Sequence, residues 1–168
     1  MTFCSVSQKA WDYFAKAKMP RFYWDFGKAK QYLVKEENPW TPAVNVIYAL
    51  TVGLDMLMKE GLQNVFARHA KIGQLCRANA KAMGLKLVAA DEMYASNTVT
   101  SVYLPAGIEY KTLSKNMRDE FKITITGGQG ALEGKIFRIG HLGWVSEKDI
   151  TECWEALKVV LPKMGYKQ

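Results

Sequence analysis

The stretch Lys135-Ile-Phe-Arg-Ile-Gly-His-Leu-Gly143 decides how the second half of the chain is interpreted. Its apolar and β-branched residues predict a short buried strand over residues 135–139. Arg138 stands in the middle of that strand. A guanidinium needs an anionic partner there, because burying it unpaired costs several kcal/mol. Its planar fork suits a carboxylate, so the partner is either an acidic side chain of this chain or the carboxylate of a ligand.

The residues before this strand predict a hairpin. Gly127, Gly128 and Gly130 lie in a glycine-rich stretch that joins a strand predicted over residues 122–126 to the one over 135–139. The glycine spacing does not match a nucleotide-binding motif, and a strand follows instead of a helix, so no helix N-terminus is offered to a phosphate. A hairpin loop is the favoured interpretation, and close approach of its backbone to a ligand is the alternative.

The rest of this half predicts alternating strands and helices. The elements are, in order, strands over 85–89 and 98–104, a helix over 110–121, the two hairpin strands, and a last helix with a capping box at Ser146 and Asp149. This order is typical of a compact α+β domain, with an antiparallel sheet and helices on one face.

Residues 1–60 have a different character. A short strand is predicted over residues 2–6, without a partner strand nearby, and two helices capped by Ser7 and Asp25 follow. A third helix is predicted to begin at Pro42, because proline fits the first turn of a helix. Helices that need a surface to pack on are typical of the end of another domain.

The chain therefore divides into three predicted segments. Residues 1–60 are interpreted as the tail of a larger domain together with a bridging helix, and residues 61–84 as a connecting amphipathic helix. Residues 85–168 are interpreted as a small C-terminal domain.

Composition excludes several classes of protein. With 49% hydrophobic and 12% aromatic residues among 168, intrinsic disorder is excluded. The net charge of +7 is spread along the chain, which favours a solvated surface over nucleic-acid binding. The most apolar stretch is short and contains Asn45 and Asp55, and no secretory signal is visible, so no membrane partner is expected. Three widely spaced cysteines favour the reducing cytoplasm.

Two histidines and one threonine complete the candidate residues. His69 lies on the apolar face of its predicted helix and is interpreted as a packed residue. His141 is interpreted as a turn residue after the Arg138 strand, and a residue that supports a nearby site is the alternative. Neither has the spacing of a metal site or a hydrolytic triad, so no metal is expected. Thr41 either caps the helix that follows it or offers its hydroxyl to an anion.

A set of short stretches, in a fixed order, carries a resemblance to a known family. The stretches are Thr41-Pro-Ala-Val-Asn-Val-Ile-Tyr-Ala-Leu50, Glu60-Gly-Leu62, Arg68-His69, Gly84-Leu-Lys-Leu87, Thr98-Val-Thr100, Gly127-Gly-Gln-Gly130 and Lys135 to Gly143. Together they closely resemble the C-terminal half of class V aminotransferases. The alanine–glyoxylate and serine–glyoxylate group is the nearest, including cyanobacterial members described as a soluble hydrogenase subunit. The resemblance covers nearly all of the chain.

The resemblance implies a fold-type I enzyme that uses pyridoxal 5'-phosphate. Such enzymes have a large cofactor domain and a small C-terminal domain, and they are obligate homodimers. The group implies transfer of an amino group from alanine or serine to glyoxylate or pyruvate. The arginine of the family's Phe-Arg-Ile-Gly motif binds the substrate carboxylate and corresponds to Arg138. The threonine of its Thr-Pro-Ala motif contacts the cofactor phosphate of the neighbouring subunit and corresponds to Thr41.

The resemblance also implies that the Schiff-base lysine of the family precedes Phe3. The chain is therefore expected to lack it, to contain no catalytic residue and to be inactive in isolation. Ser7-Gln-Lys9 imitates the lysine motif, but Lys9 aligns with the helix downstream, where a surface lysine is expected. A catalytically inactive dimerisation or interaction module derived from the family is the alternative, and a basic nucleic-acid-binding domain is a remote one.

Overall fold

A computed structural model describes residues 2–167, which divide into a first unit that ends at Lys59 and a second that begins at Glu60. The first contains α1 (Gln8–Phe14), α2 (Phe26–Leu33) and nearly all of α3 (Val44–Glu60). The second contains α4 (Leu62–Ala82), β1 (Val99–Tyr103), α5 (Tyr110–Phe121), β2 (Thr126–Gly127), β3 (Ile136–Gly140) and α6 (Glu147–Lys163). The interpretation of these parts as the end of a large domain and a small domain stays a prediction.

The second unit is organised around a three-stranded antiparallel sheet of order β1-β3-β2. The strand β3 is therefore central. Side chains alternate between the faces of a strand, so Phe137 and Ile139 share one face and Arg138 lies on the other. The first two belong to the apolar core, whereas Arg138 is only half-buried.

The core of this unit lies between that sheet face and helices α4, α5 and α6. Its largest fully buried side chains include Trp154 of α6, Phe137 of β3 and Leu113 of α5. The Trp154 indole N–H donates to the Cys76 sulfur at 3.4 Å, so its polar atom is satisfied inside the core. The expected fold class is confirmed: an antiparallel sheet carries helices on one face.

The first unit has no comparable core among its described residues, 2–59. None of the residues in α1, α2 or α3 is buried. Trp24 is 88% exposed, and the side chains of Phe3 and Val34 are similarly open. The indole N–H of Trp40 donates to the carbonyl of Tyr23 at 3.0 Å, and their rings stack, so local contacts order part of this unit.

Helix boundaries follow the predicted caps. Ser7 accepts a hydrogen bond from the N–H of Ala10, and Asp25 accepts from the N–H groups of Gly27 and Lys28. Ser146 and Asp149 form the predicted capping box of α6. The helix predicted from Pro42 begins instead at Val44, and α1 ends at Phe14, well before the proline that follows it.

Three predicted strands are wrong or shorter. Residues 2–6 are not a strand, because no segment within residues 2–167 pairs with them. Residues 85–89 form only an isolated bridge between Leu87 and Val102. Of the strand predicted over 122–126, only Thr126 lies in β2, and Lys122 instead adopts a left-handed conformation with φ of 61° at the end of α5.

No helix within residues 2–167 is long and apolar enough to cross a membrane.

Candidate functional site

Arg138 occupies the middle of the central strand, on the sheet face that the core does not use. Its Nε–H donates to the carbonyl of Gly127 at 2.8 Å, which ties the guanidinium to β2. None of the acidic side chains within residues 2–167 forms an ion pair with it. The internal ion pair that the sequence left open is therefore absent from the described chain, and the terminal nitrogens can bind an external anion.

The hairpin before β3 holds the carbonyl that binds Arg138. A Cβ atom at Gly127 would lie 2.7 Å from the Tyr110 ring, and one at Gly128 only 2.0 Å from the carbonyl oxygen of Leu132. Both contacts are closer than packed atoms allow, so the two glycines permit a tight approach of backbone segments. The Tyr110 hydroxyl donates to the carbonyl of Ile125 at 3.1 Å and fixes the ring against this turn.

A row of three polar residues crosses the sheet at Arg138. Ser101 of β1 and Thr126 of β2 are its partners in the two strand pairings. Residues directly opposite each other in an antiparallel pair point to the same face, so the side chains of Ser101 and Thr126 lie on the same sheet face as Arg138. Neither hydroxyl makes a hydrogen bond to any other residue of the described chain.

His141 lies in the loop that follows β3, as its interpretation as a turn residue predicts, and it is buried and hydrogen-bonded at both ring nitrogens. Its Nδ1 lies 3.1 Å from the carbonyl of Asn97, which can only accept, so Nδ1 carries the proton. Its Nε2 then accepts from the Thr100 hydroxyl at 2.8 Å. Burial lowers the pKa of His141, because the charged ring would lose its hydration. Thr100 occupies a core-facing position of a predicted strand, where a polar side chain needs a buried hydrogen-bond partner. That position was the sequence signal from which a partner such as His141 could have been predicted.

His69 behaves as its sequence position predicts. It is half-buried on α4, and its Nδ1 lies 2.8 Å from the carbonyl of Val65 in the preceding turn. No group of three or more metal-binding side chains occurs within residues 2–167.

Arg68 fixes the loop after β3, a role that the sequence pattern did not reveal. It forms a two-pronged pair with Glu60, at 2.6 Å from Nε and 2.9 Å from Nη2. The remaining nitrogen donates to the carbonyls of Gly143 and Val145 at 3.0 and 3.1 Å. The pairing holds the pKa of Glu60 below its usual value and raises that of Arg68. The loop that leads from the Arg138 strand into α6 is thereby held in place.

Thr41 is exposed and lies three positions before the first residue of α3. Its hydroxyl makes no hydrogen bond within residues 2–167, so the interpretation of Thr41 as a helix cap is wrong. The alternative, a hydroxyl offered to an anion, remains. Thr41 belongs to the first unit and Arg138 to the second.

Known proteins resemble nearly the whole chain. It is 44% identical over 98% of its length to a "Soluble hydrogenase 42 kDa subunit" of Anabaena cylindrica, of which it covers 43%. It is 33% identical over 96% of its length to a serine–glyoxylate aminotransferase of Arabidopsis thaliana, of which it covers 40%. The chain thus spans about two fifths of the curated relatives it matches. No family model matches it.

A solved structure agrees with these relatives. The alanine–glyoxylate aminotransferase of Nostoc sp. superposes with a TM-score of 0.84 at 27% identity, over 92% of this chain and 42% of that one. The chain is thus similar over nearly its whole length to aminotransferases of the serine–glyoxylate and alanine–glyoxylate group, and the share of each relative that it covers is consistent with a C-terminal half.

Proposed function

We propose that this chain is the C-terminal portion of a pyridoxal-phosphate-dependent aminotransferase. The enzyme transfers an amino group from a small amino acid, alanine or serine, to glyoxylate or pyruvate in the cytoplasm. The observation that carries the proposal is the Arg138 guanidinium, which is tied to a backbone carbonyl and has no acidic partner in the described chain. The serine–glyoxylate and alanine–glyoxylate aminotransferases named above support serine, alanine and glyoxylate as substrates.

Arg138 binds the substrate carboxylate in this proposal. The terminal nitrogens of a guanidinium match the two oxygens of a carboxylate through parallel hydrogen bonds. The central strand and the bond to the Gly127 carbonyl restrict the orientation of the guanidinium. A fixed carboxylate in turn fixes the direction of the substrate's Cα–H bond, which proton removal requires.

Thr41 contacts the phosphate of a cofactor bound by the neighbouring subunit of a homodimer. Its exposed hydroxyl, unpartnered in the described chain, fits that group, because a hydroxyl can donate to a phosphate oxygen. The bound cofactor supplies an electron sink for the substrate's Cα. The lysine that binds the cofactor is not one of these 168 residues, and the isolated chain is inactive. Lys9 in particular is an exposed residue of α1.

A chimera tests the proposal. The part of the Anabaena relative that this chain does not cover is joined to this chain, and transamination of alanine with glyoxylate is measured. We expect activity that Arg138→Ala nearly abolishes at low substrate, because a lost two-pronged carboxylate pair is worth about 2–4 kcal/mol of binding. Arg138→Lys restores only part of it, since an ammonium lacks the planar fork. An unchanged KM in Arg138→Ala would contradict the proposal.

The same chimera separates the role of Thr41 from that of Arg138. Thr41→Ala weakens retention of the cofactor during dialysis and leaves the preference among amino acids unchanged. Thr41→Ser keeps the hydroxyl and is the matched control.

Borohydride labelling tests the position of the lysine. The isolated chain is mixed with pyridoxal phosphate, reduced and digested, and its peptides are mapped. We expect no stoichiometric label on any lysine. A stoichiometric label on Lys9 would contradict this part of the proposal.

The second candidate function is an inactive dimerisation or interaction module of the same family. The exposed apolar side chains of the first unit favour it. The two functions differ in the chimera, since an inactive module binds its partner but gives no transamination with any amino acid tested.

A further inference from the structure

The hydroxyl of Thr126 has no role in the carboxylate site proposed for Arg138. Thr126 is the strand partner of Arg138 and is exposed. It immediately precedes Gly127, whose carbonyl accepts the Nε–H of Arg138. Its own hydroxyl has no hydrogen-bond partner among residues 2–167, so it is available to a molecule bound beside the guanidinium.

The bond between Arg138 and Gly127 makes the row across the sheet asymmetric. Strand β3 lies between β1 and β2, and Gly127 belongs to β2. The hydrogen bond from Arg138 Nε to the Gly127 carbonyl oxygen, at 2.8 Å, therefore holds the guanidinium on the β2 side of the central strand. Thr126 lies on that side, and Ser101 of β1 lies on the other.

The hydrogen-bonding capacity of a carboxylate leaves room for a further donor. An ionised carboxylate has about four acceptor positions, and a guanidinium fork fills two of them. Because the Nε–H of Arg138 is used by Gly127, only the two terminal nitrogens bind the carboxylate. A neighbouring hydroxyl can then donate to one of the carboxylate's unfilled positions.

We propose that Thr126 is a second substrate-binding residue, whose hydroxyl donates to the carboxylate held by Arg138. This inference rests on the proposed function of Arg138. It distinguishes Thr126 from Ser101, which carries the same hydroxyl group in β1, on the side of the central strand opposite to the Gly127 carbonyl.

Titration of the full 168-residue chain with pyruvate tests the inference. Backbone amide resonances of β2 and β3 are followed by NMR at constant ionic strength, and acetamide serves as the uncharged control ligand. We expect Thr126→Val to raise the dissociation constant on the order of tenfold to a hundredfold, the effect of one hydrogen bond to a charged group. Thr126→Ser and Ser101→Ala should stay within about twofold of the unaltered chain, since neither loses a hydroxyl beside the guanidinium.

Arg138→Gln separates failure of this inference from failure of the proposed function. If Arg138→Gln binds as the unaltered chain does, or if the unaltered chain shows no saturable shift, the carboxylate site itself is contradicted. If Arg138→Gln loses binding and Thr126→Val keeps it, Thr126 alone is overturned. Dispersed amide spectra confirm that each variant is folded, and Thr126→Ala replaces Thr126→Val if the latter is not.

Discussion

The second unit of the chain buries many of its apolar side chains, whereas the first unit leaves most of its apolar side chains exposed. Helix α4 of the second unit contains six buried residues, whereas α1, α2 and α3 contain none. Yet α3 is the more apolar helix by sequence, with exposed valines, leucines and methionines along its length. Apolar composition alone therefore does not create a core, because the second unit also has a sheet whose face the helices cover. The first unit instead presents surface that a partner could bury.

The largest expected effect comes from separating the two units. A chain that begins at Glu60 should unfold cooperatively in urea, because it contains the whole buried cluster. A chain of residues 1–59 should show no cooperative transition and should bind a hydrophobic dye. The full chain should associate at micromolar concentration, since apolar patches above a few hundred Å² are rare on monomers. A monomer without dye binding in analytical ultracentrifugation would contradict this.

One tryptophan in each unit allows the stability of the two units to be compared within the intact chain. Trp154 is fully buried, so Trp154→Ala should lower the free energy of unfolding by about 3–5 kcal/mol. Trp24 is 88% exposed, and Trp24→Ala should change the same transition by less than about 0.5 kcal/mol. Urea denaturation followed by circular dichroism measures both. Equal effects would mean that the first unit has a core of its own.

The buried His141 gives the second unit a pH dependence. Its pKa is lowered in the folded chain, so the unfolded chain binds the additional proton first as the pH falls below about 6.5. Stability should thus decrease as the pH falls through this window, by at most about 1.4 kcal/mol per pH unit from this group. Denaturation of His141→Gln at several pH values should lack this slope, whereas His69→Gln should retain it.

The smallest expected effect on stability comes from removing a serine cap in each of the two units. Ser146 begins α6, which packs in the core, and Ser146→Ala should lower stability by about 1 kcal/mol. Ser7 begins α1, which contains no buried residue, and Ser7→Ala should leave the cooperative transition unchanged. A similar loss in both variants would show that the units unfold together.

Local signals in the sequence predicted the helices well. The capping residues Ser7, Asp25 and Ser146 mark the helix starts correctly, and the helix over 110–121 has the predicted boundaries. Caps and periodicity act within a few residues, so they are readable from the sequence alone.

Strands and site contacts depend on distant residues and were harder to predict. Leu87 lies in a strand-like pattern but finds only one bridge, and the partners of His141 stand more than 40 positions away. Arg138 was predicted as a candidate site residue because a cation in an apolar strand is unusual in any context. Its bond to the Gly127 carbonyl, like the pairing of Arg68 with Glu60, depends on tertiary geometry that no local pattern encodes.

The close approach at Gly128 sets a rule for redesigning this protein by combinatorial mutagenesis. A Cβ atom there would overlap a backbone carbonyl 2.0 Å away, and backbone cannot rotate aside as a flexible side chain can. In a library that randomises the whole loop between β2 and β3, most variants would have a displaced hairpin. Keeping Gly127 and Gly128 constant while varying Thr126 would sample substrate preference on an intact scaffold.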